Sequence, residues 1–406
     1  MSKYLDKSYP PVVVVGLNDA ALSIVRSLGR KGIRIIGLYD DDCHDYYTSS
    51  KYCPVKLRRP LYDEPLVDTL IKDVASSLKE LAVIFCTNDN TVLTVSKYED
   101  ELRPFFRFVL PPYEVTNGQI SKREFHKFAL SNSFLVPNTF FANGPEEIEK
   151  GVEKISFPCV IKPEFRDRTW EEKVPVKVLY AESKQNFLNL IREYQIQQTS
   201  LVIQEWIDGD DSEVYFCLSY IGRNHKPLAV CVARKLRQYP HLTGSTSVAE
   251  TVLHPEIAVE SLRLLNTAGC IGFCSVEFKQ SKRDGRFYVT EPTIGRPDTQ
   301  EGICIGAGID IPWIAYLDAI GQDLVPSGEF KKGIKWINEP LEFYTFQDYF
   351  RNGFRLRDFM SIYKGGRRSY ALWAHDDPVP VLTFLKEKIG KGAGRLLKLH
   401  SNRQLS

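Results

Sequence analysis

The chain has 406 residues, 43% of them hydrophobic and 26% charged, which is ordinary for a globular protein and leaves room for two or three domains with buried cores. A formal net charge of +2, with no basic and aromatic arrangement of a nucleic-acid module, argues against a nucleic-acid partner. Nine cysteines without paired spacing read as reduced core thiols, MSKYLDKSYPP lacks the apolar stretch of a signal peptide, and no run reaches membrane-spanning length, so cytoplasm is the expected compartment.

From the N-terminus the pattern alternates strand and helix. Pro11-Val-Val-Val-Val-Gly16 is a short apolar strand ending in glycine, and Leu17, Ala21, Ile24, Val25 and Leu28 then recur at helical spacing, with Asn18 or Asp19 as cap. Ile33–Tyr39 supplies a second strand, 64–80 reads as helix and Leu81–Cys86 as a third strand. Alternation of this kind predicts a doubly wound parallel sheet. The turn after Val15 runs Gly-Leu-Asn-Asp-Ala-Ala, not G-x-G-x-x-G, so the domain reads as a scaffold rather than a dinucleotide site.

Ser121-Lys-Arg-Glu124 has the form of a capping box before Phe125, Phe128 and Ala129. Beyond Phe134 the texture becomes α+β. Strands are predicted at Phe157–Lys162, Val176–Tyr180, Leu201–Glu205, Glu213–Tyr220 and Pro227–Leu236, with an amphipathic helix marked by Phe187, Leu190, Ile191 and Tyr194. Past about residue 330 the chain is richer in Lys and Arg, and no periodic element is expected before about 380.

The sharpest chemical signal is Val276-Glu277-Phe278 and Val289-Thr290-Glu291-Pro292-Thr293, joined through Arg283-Asp284-Gly285. A three-residue hairpin loop with left-handed Gly285 pairs Lys282 with Arg286 and sets Glu277 opposite Glu291. Opposed like charges repel, so a cation should lie between them. With Thr293 on the same face, two carboxylates and a third oxygen form a set suited to Mg²⁺; a surface pair satisfied by Lys or Arg is the structural alternative. Lys162 ends an apolar strand as a point charge suited to phosphate. The strand Leu201–Ile207 turns into Asp208-Gly-Asp-Asp-Ser-Glu213, which offers backbone groups for an adenine edge and an acid for ribose.

In this order the segments resemble the ATP-grasp superfamily from about 120 to 325, in the carboxylate–amine ligase branch related to the large subunit of carbamoyl phosphate synthetase. The fold implied is an N-terminal doubly wound pre-ATP-grasp domain (1–120), then a two-lobed ATP-grasp domain (121–325, with a lid lobe at 135–205 and a metal lobe at 206–325) and a basic C-terminal extension (326–406). The resemblance implies that Lys122 and Lys162 contact nucleotide phosphates, that Glu205 and Ile207 form the adenine hinge and that Glu213 binds ribose. It also implies that Glu277 and Glu291 bridge one or two Mg²⁺ ions, with Mn²⁺ as a substitute, and that Arg296 meets the γ-phosphate or acyl phosphate. Two departures stand out. Thr293 replaces the metal-binding Asn, with Arg296 one residue further on, and the loop after Lys162, containing Arg166 and Arg168, has no glycine.

Lys235 and Arg237 share one face of an extended strand and precede a Gly244-Ser245-Thr246 loop, a placement suited to the reacting carboxylate or transferred phosphate. The activity implied is ATP-dependent activation of a carboxylate as an acyl phosphate and its transfer to an amine, releasing ADP and phosphate. A carboxylase, a thiol ligase and a silent nucleotide-binding regulator are the alternatives. No nucleophile is needed, so Ser245 and the cysteines receive no role, and the seven histidines make no metal or triad pattern. The partners implied are small-molecule acids and amines, with self-association left open. At the C-terminus Leu382, Leu385 and Ile389 recur at helical spacing beside Lys386, Lys388, Lys391, Arg395 and Lys398. Such a helix either packs on its own protein, the favoured reading, or lies on an anionic membrane.

Overall fold

The structure, a computed structural model, describes residues 9–164, 168–174, 176, 178–351, 353 and 355–390. Three sheets organise it. The first is wholly parallel, in order β3-β2-β1-β4-β5. It is built from β1 (Val12–Val15), β2 (Ile35–Tyr39), β3 (Val55–Arg58), β4 (Ala82–Cys86) and β5 (Phe106–Arg107). Val12 and Val14 bury on one face while Val13 and Val15 bury on the other, as the unbroken apolar run requires. The expected strands at 11–16, 33–39 and 81–86 are β1, β2 and β4. The short β3 and β5 carry too little pattern to be foreseen, and the helix expected at 64–80 is broken into α, π and 3₁₀ turns.

The second sheet is a four-stranded antiparallel unit in order β6-β9-β7-β8, from β6 (Thr139–Asn143), β7 (Cys159–Pro163), β8 (Leu179–Ala181) and β9 (Ser200–Glu205). It has a core of its own. Cys159 and Ile161 of β7 bury with Ala142, Ile148 and Phe187 against helices Pro145–Lys154 and Lys184–Glu193, so the alternate residues Val160 and Lys162 take the opposite face.

The third sheet has seven strands in order β14-β13-β10-β11-β12-β15-β16. They are β10 (Val214–Ile221), β11 (Pro227–Tyr239), β12 (Ser245–Thr251), β13 (Gly272–Gln280), β14 (Phe287–Ile294), β15 (Ile334–Ile337) and β16 (Arg367–Tyr370). Phe216, Leu218 and Phe273 join one core with Val12, Val14 and Phe85, which fastens the two larger sheets together. Two expectations are corrected. Gly244–Thr246 is no flexible loop: Ser245 and Thr246 open β12, and Gly244 sits where a Cβ would lie 1.9 Å from the Tyr239 carbonyl carbon. The region past 330, expected to be unpatterned, contributes β15, β16 and helices Glu339–Arg351, Leu356–Ser361 and 379–390. Its strands are short, and β15 owes its burial to pairing with β12, distant in sequence, while β16 forms the sheet edge. Nine free cysteines, eight of them buried, match the thiol reading, and among the described residues no helix is long and apolar enough to cross a membrane.

Candidate active site

Glu277 and Glu291 are directly opposed on β13 and β14, but by a different route from the one expected. The turn is one residue longer: Ser281, not Lys282, pairs with Arg286, the Ser281 N–H donating to its carbonyl at 2.9 Å. Gly285 is left-handed, with φ of +72°. A β-bulge between Glu277 and Phe278 absorbs Thr290 and restores the register. The bulged residue is used: the Thr290 hydroxyl donates to Glu277 Oε1 at 3.0 Å and to the Glu277 carbonyl at 3.2 Å. The hairpin is otherwise secured by Val276, Phe278 and Val289, which bury on its other face.

The cation demanded by this pair is on β11. Lys235 Nζ lies 2.9 Å from Glu277 Oε2 and is almost fully enclosed, donating also to Gln238 Oε1 at 3.2 Å. Lys279, two residues beyond Glu277 on the same face, was not foreseen. It donates to the Gly209 and Asp210 carbonyls at 2.8 and 2.6 Å, and burial pushes its ammonium down to about 8.

These groups form the floor of a cleft of about 210 Å³ roofed by the four-stranded sheet. Lys122, Lys162, Glu205, Ile207, Lys235, Glu277 and Glu291, all expected site residues, line it together. Lys122 follows the Ser121 cap, whose hydroxyl accepts from the Glu124 N–H, and its ammonium reaches the Glu164 carbonyl at 3.0 Å. Arg123 grips the Glu164 carboxylate with two bonds of 2.5 and 2.6 Å, so the helix Lys122–Ser131 is tied to the end of β7. Glu205 is held by Arg283 at 3.0 Å and by the Asn138 N–H at 3.3 Å. Glu213 stands outside the cleft wall and caps its own turn, accepting from the Asp210 N–H at 2.6 Å. Beside it the buried Asp211 fixes the segment 238–242 through Gln238, His241 and Leu242.

Three expected residues are placed differently. Arg237 does not share the face of Lys235, because the ladder shifts register on both sides of it. It is buried to 1% exposure, paired with Glu342 of helix Glu339–Arg351, bonded to the Phe359 carbonyl at 2.9 Å and 3.9 Å from the Phe359 ring. Arg296 does not line the cleft but pairs with Asp89 Oδ1 at 2.5 Å, within electrostatic reach of Glu291. Thr293 is opposite Ser275 and also outside the cleft lining. Arg166 lies outside the described residues, as does the side chain of Arg168.

The N-terminal domain is more than a scaffold. β1 and β4 both end in Asn-Asp: the Asn18 side chain accepts from the Ala21 N–H at 3.0 Å and that of Asn88 from the Thr91 N–H at 2.9 Å. Each cap sets the following aspartate at the first helical position, at the carboxyl ends of the two strands where the direction of winding reverses. That is the usual crevice of an open parallel sheet, and the repeated Asn-Asp was a legible signal for it. Asp89 lines the cleft. Asp19 lines a second cavity of about 370 Å³, with Arg26, Arg30, Thr299, Trp336, Arg368 and Trp373. Burial pushes the Asp19 carboxyl up to about 6, Asp298 adding repulsion, and raises Asp298 as well. Glu301, buried beside Asp298, is pushed up to about 8. Asp298 feels both Glu277 and Arg296, so a line of carboxylates connects cleft and cavity.

Comparison with known proteins follows this architecture. No protein-family model matches the chain. A D-aspartate ligase of Enterococcus faecium is 21% identical over 243 residues, 57% of this chain and 57% of that protein, so the chain spans little more than half of its relative's length. The N5-carboxyaminoimidazole synthetase of Staphylococcus aureus, solved with ADP, matches 80% of this chain and 81% of its own, with TM-score 0.62 and 13% identity. Biotin carboxylase of Campylobacter jejuni matches 81% of this chain and 74% of its own, with TM-score 0.63 and 14% identity. An L-amino acid ligase of Bacillus licheniformis matches 80% and 78%, with TM-score 0.59 and 16% identity. Across most of each chain the likeness is one of fold, and this chain shares the fold of these ATP-grasp proteins.

Proposed function

We propose that the chain is an ATP- and Mg²⁺-dependent ligase that converts a carboxylate to an acyl phosphate and joins it to an amine, releasing ADP and phosphate. The observation that carries this reading is the opposed pair Glu277 and Glu291, set in one cleft with Lys122, Lys162, Lys235 and Lys279. The donor set fits Mg²⁺: two hard carboxylates open on the cleft, and that ion usually takes one or two of them with phosphate and water completing its shell. Held by Glu277 and Glu291, it would offset negative charge on the β- and γ-phosphates.

The remaining work falls to side chains of this chain. Lys122 and Lys162 reach the cleft and suit the phosphates, while Glu205 and Ile207 edge the adenine end; Glu213, expected at the ribose, stands outside this lining. Lys235, paired with Glu277, would be freed by a cation held there, and it suits the attacking carboxylate or the transferred phosphoryl group, oriented charge being the chief source of rate in such transfers. The four-stranded lobe, with its independent core, closes over the cleft and keeps water from the acyl phosphate. Arg296, anchored on Asp89, holds the hairpin to the N-terminal domain near the reacting phosphate. We place the acceptor amine at the second cavity, where Asp19 has no ion-pair partner among the described residues and would meet an ammonium group. The acid is proposed to be an amino acid, as the name of the D-aspartate ligase relative suggests.

ADP release across a panel of amino acids, with and without amines and bicarbonate, tests the reading. Turnover that needs one acid–amine pair supports it; turnover with bicarbonate alone would make the protein a carboxylase, and ATP binding without turnover a regulator. Asp19→Asn should raise KM for the amine and leave KM for ATP unchanged. Equal effects on both would remove the second cavity from the acceptor path.

A further inference from the structure

The C-terminal extension carries a surface that the ligase reading does not use. Helix 379–390 buries Phe384 against Leu22, Tyr46 and Leu372. More than a third of a turn away it leaves Leu382, Leu385 and Ile389 in solvent, at 56%, 48% and 72% exposure. At about 100° per residue these three form one stripe. Lys386 and Lys388 border it on either side, and Glu387, the only acid of that helix, lies on the far side. Helix Glu339–Arg351 adds Phe343, Phe346 and Phe350, each more than a third exposed; of its three acids, Glu342 is taken up by Arg237, Glu339 by the Leu372 and Trp373 N–H groups, and Asp348 falls on the opposite face of the helix. The two helices touch through Phe343 and Phe384, with ring centroids 6.3 Å apart. Phe346 continues the surface to Phe359 of the short helix Leu356–Ser361 at 5.1 Å. That helix adds exposed Leu356 and Met360, flanked by Arg355, Arg357 and Lys364.

We propose that this three-helix face docks on the headgroup region of an anionic lipid bilayer, laying the apolar stripes into the interface and the bordering Lys and Arg against lipid phosphates. Large apolar side chains concentrated on one exposed face mark an interaction site, and apolar residues bordered by cations are the composition of interfacial helices. The charge pattern selects the occupant. A second copy meeting the face through a two-fold axis would bring cationic border against cationic border, whereas an anionic bilayer complements both features.

The test is co-sedimentation of the full chain with vesicles of phosphatidylcholine alone and of phosphatidylcholine with phosphatidylglycerol, at low and high salt. Binding to the acidic vesicles at low salt is expected, weakened at high salt as screening shortens the reach of the charges. Leu385→Glu with Ile389→Glu should weaken it at least about tenfold while thermal stability and ADP release stay at the unmodified level, since both side chains are solvent-exposed. Lys386→Glu should weaken it less. Absence of binding at low salt overturns the proposal, as does binding indifferent to the paired substitution. A wild-type dimer that the paired substitution makes monomeric, with no vesicle binding, would assign the face to a second copy and likewise overturn it.

Discussion

Two regions of the large sheet, the β13–β14 hairpin and β11, carry the charged residues singled out in the sequence, and both contain a bulge, with opposite consequences. In the β13–β14 hairpin the bulge at Thr290 compensates a turn one residue longer than expected, so Glu277 and Glu291 still meet. In β11 the irregularity on either side of Arg237 separates it from Lys235: Lys235 enters the cleft, and Arg237 crosses to a buried pairing with Glu342. Alternation along a strand is reliable only while the ladder is regular, and one inserted residue exchanges the faces of everything beyond it. The two bulges therefore sort similar charges into different employment, chemistry on one side and cohesion of the C-terminal extension on the other.

The comparison can be broken most directly at the hairpin. Glu291→Gln removes a carboxylate proposed to hold Mg²⁺, and charge stabilisation of that kind amounts to several kcal/mol, so ADP release should fall by at least about a hundredfold with the fold intact. Near-normal turnover with an unchanged Mg²⁺ requirement would end the metal assignment. The two basic residues of β11 should then part company. Arg237→Ala leaves Glu342 buried without its partner, a loss of about 3–5 kcal/mol in unfolding experiments. Lys235→Ala should cost less stability than this, because Glu277 keeps contact with solvent, and depress turnover. Similar effects of both substitutions on stability would mean that the bulge does not divide their roles.

A smaller effect is expected in the roofing sheet. Lys162→Ala should weaken ATP binding about tenfold or more by calorimetry, whereas Asn18→Ala should cost about 1 kcal/mol of stability through the lost helix cap without changing nucleotide affinity. The reverse ranking would move the nucleotide to the parallel sheet. The smallest effect concerns the pair that fastens segment 238–242. The hydrogen bond to Asp211 raises the His241 pKa above its ordinary 6.5. Burial opposes ionisation of Asp211, yet donors from His241, Gln238 and Leu242 hold its carboxyl below the ordinary 3.8. A raised histidine contributes stability that is complete below 6.5 and lost as pH rises through its folded value. A lowered aspartate contributes stability present above 3.8 and lost as pH falls through its folded value. The melting temperature of the wild type should therefore exceed that of His241→Gln most between about pH 4 and 6.5, and the gap should narrow at alkaline pH. A gap constant with pH would show that His241 contributes through packing alone.

Much of this molecule is written locally. The apolar runs of β1, β2 and β4, the cap at Ser121 and the left-handed Gly285 all follow from side-chain polarity, hydrogen-bonding groups and turn preference acting over a few residues, whereas Glu277 meets Glu291 only because a bulge at Thr290 offsets the longer turn. The same holds for the order of lysines and glutamates that resembles ATP-grasp enzymes. What the chain does at long range was decided only by tertiary structure. Asp89 reaches the cleft and meets Arg296 because the two larger sheets share one core. Lys279 is depressed because sheets close around it, which no neighbour in sequence announces. β15 exists because β12 offers an edge to residues more than eighty positions away, and β16 because β15 then offers its own. Local preference governs which conformations a segment can adopt; burial against distant partners governs which of them supplies enough free energy to persist, and which charges end up sharing a low-dielectric pocket.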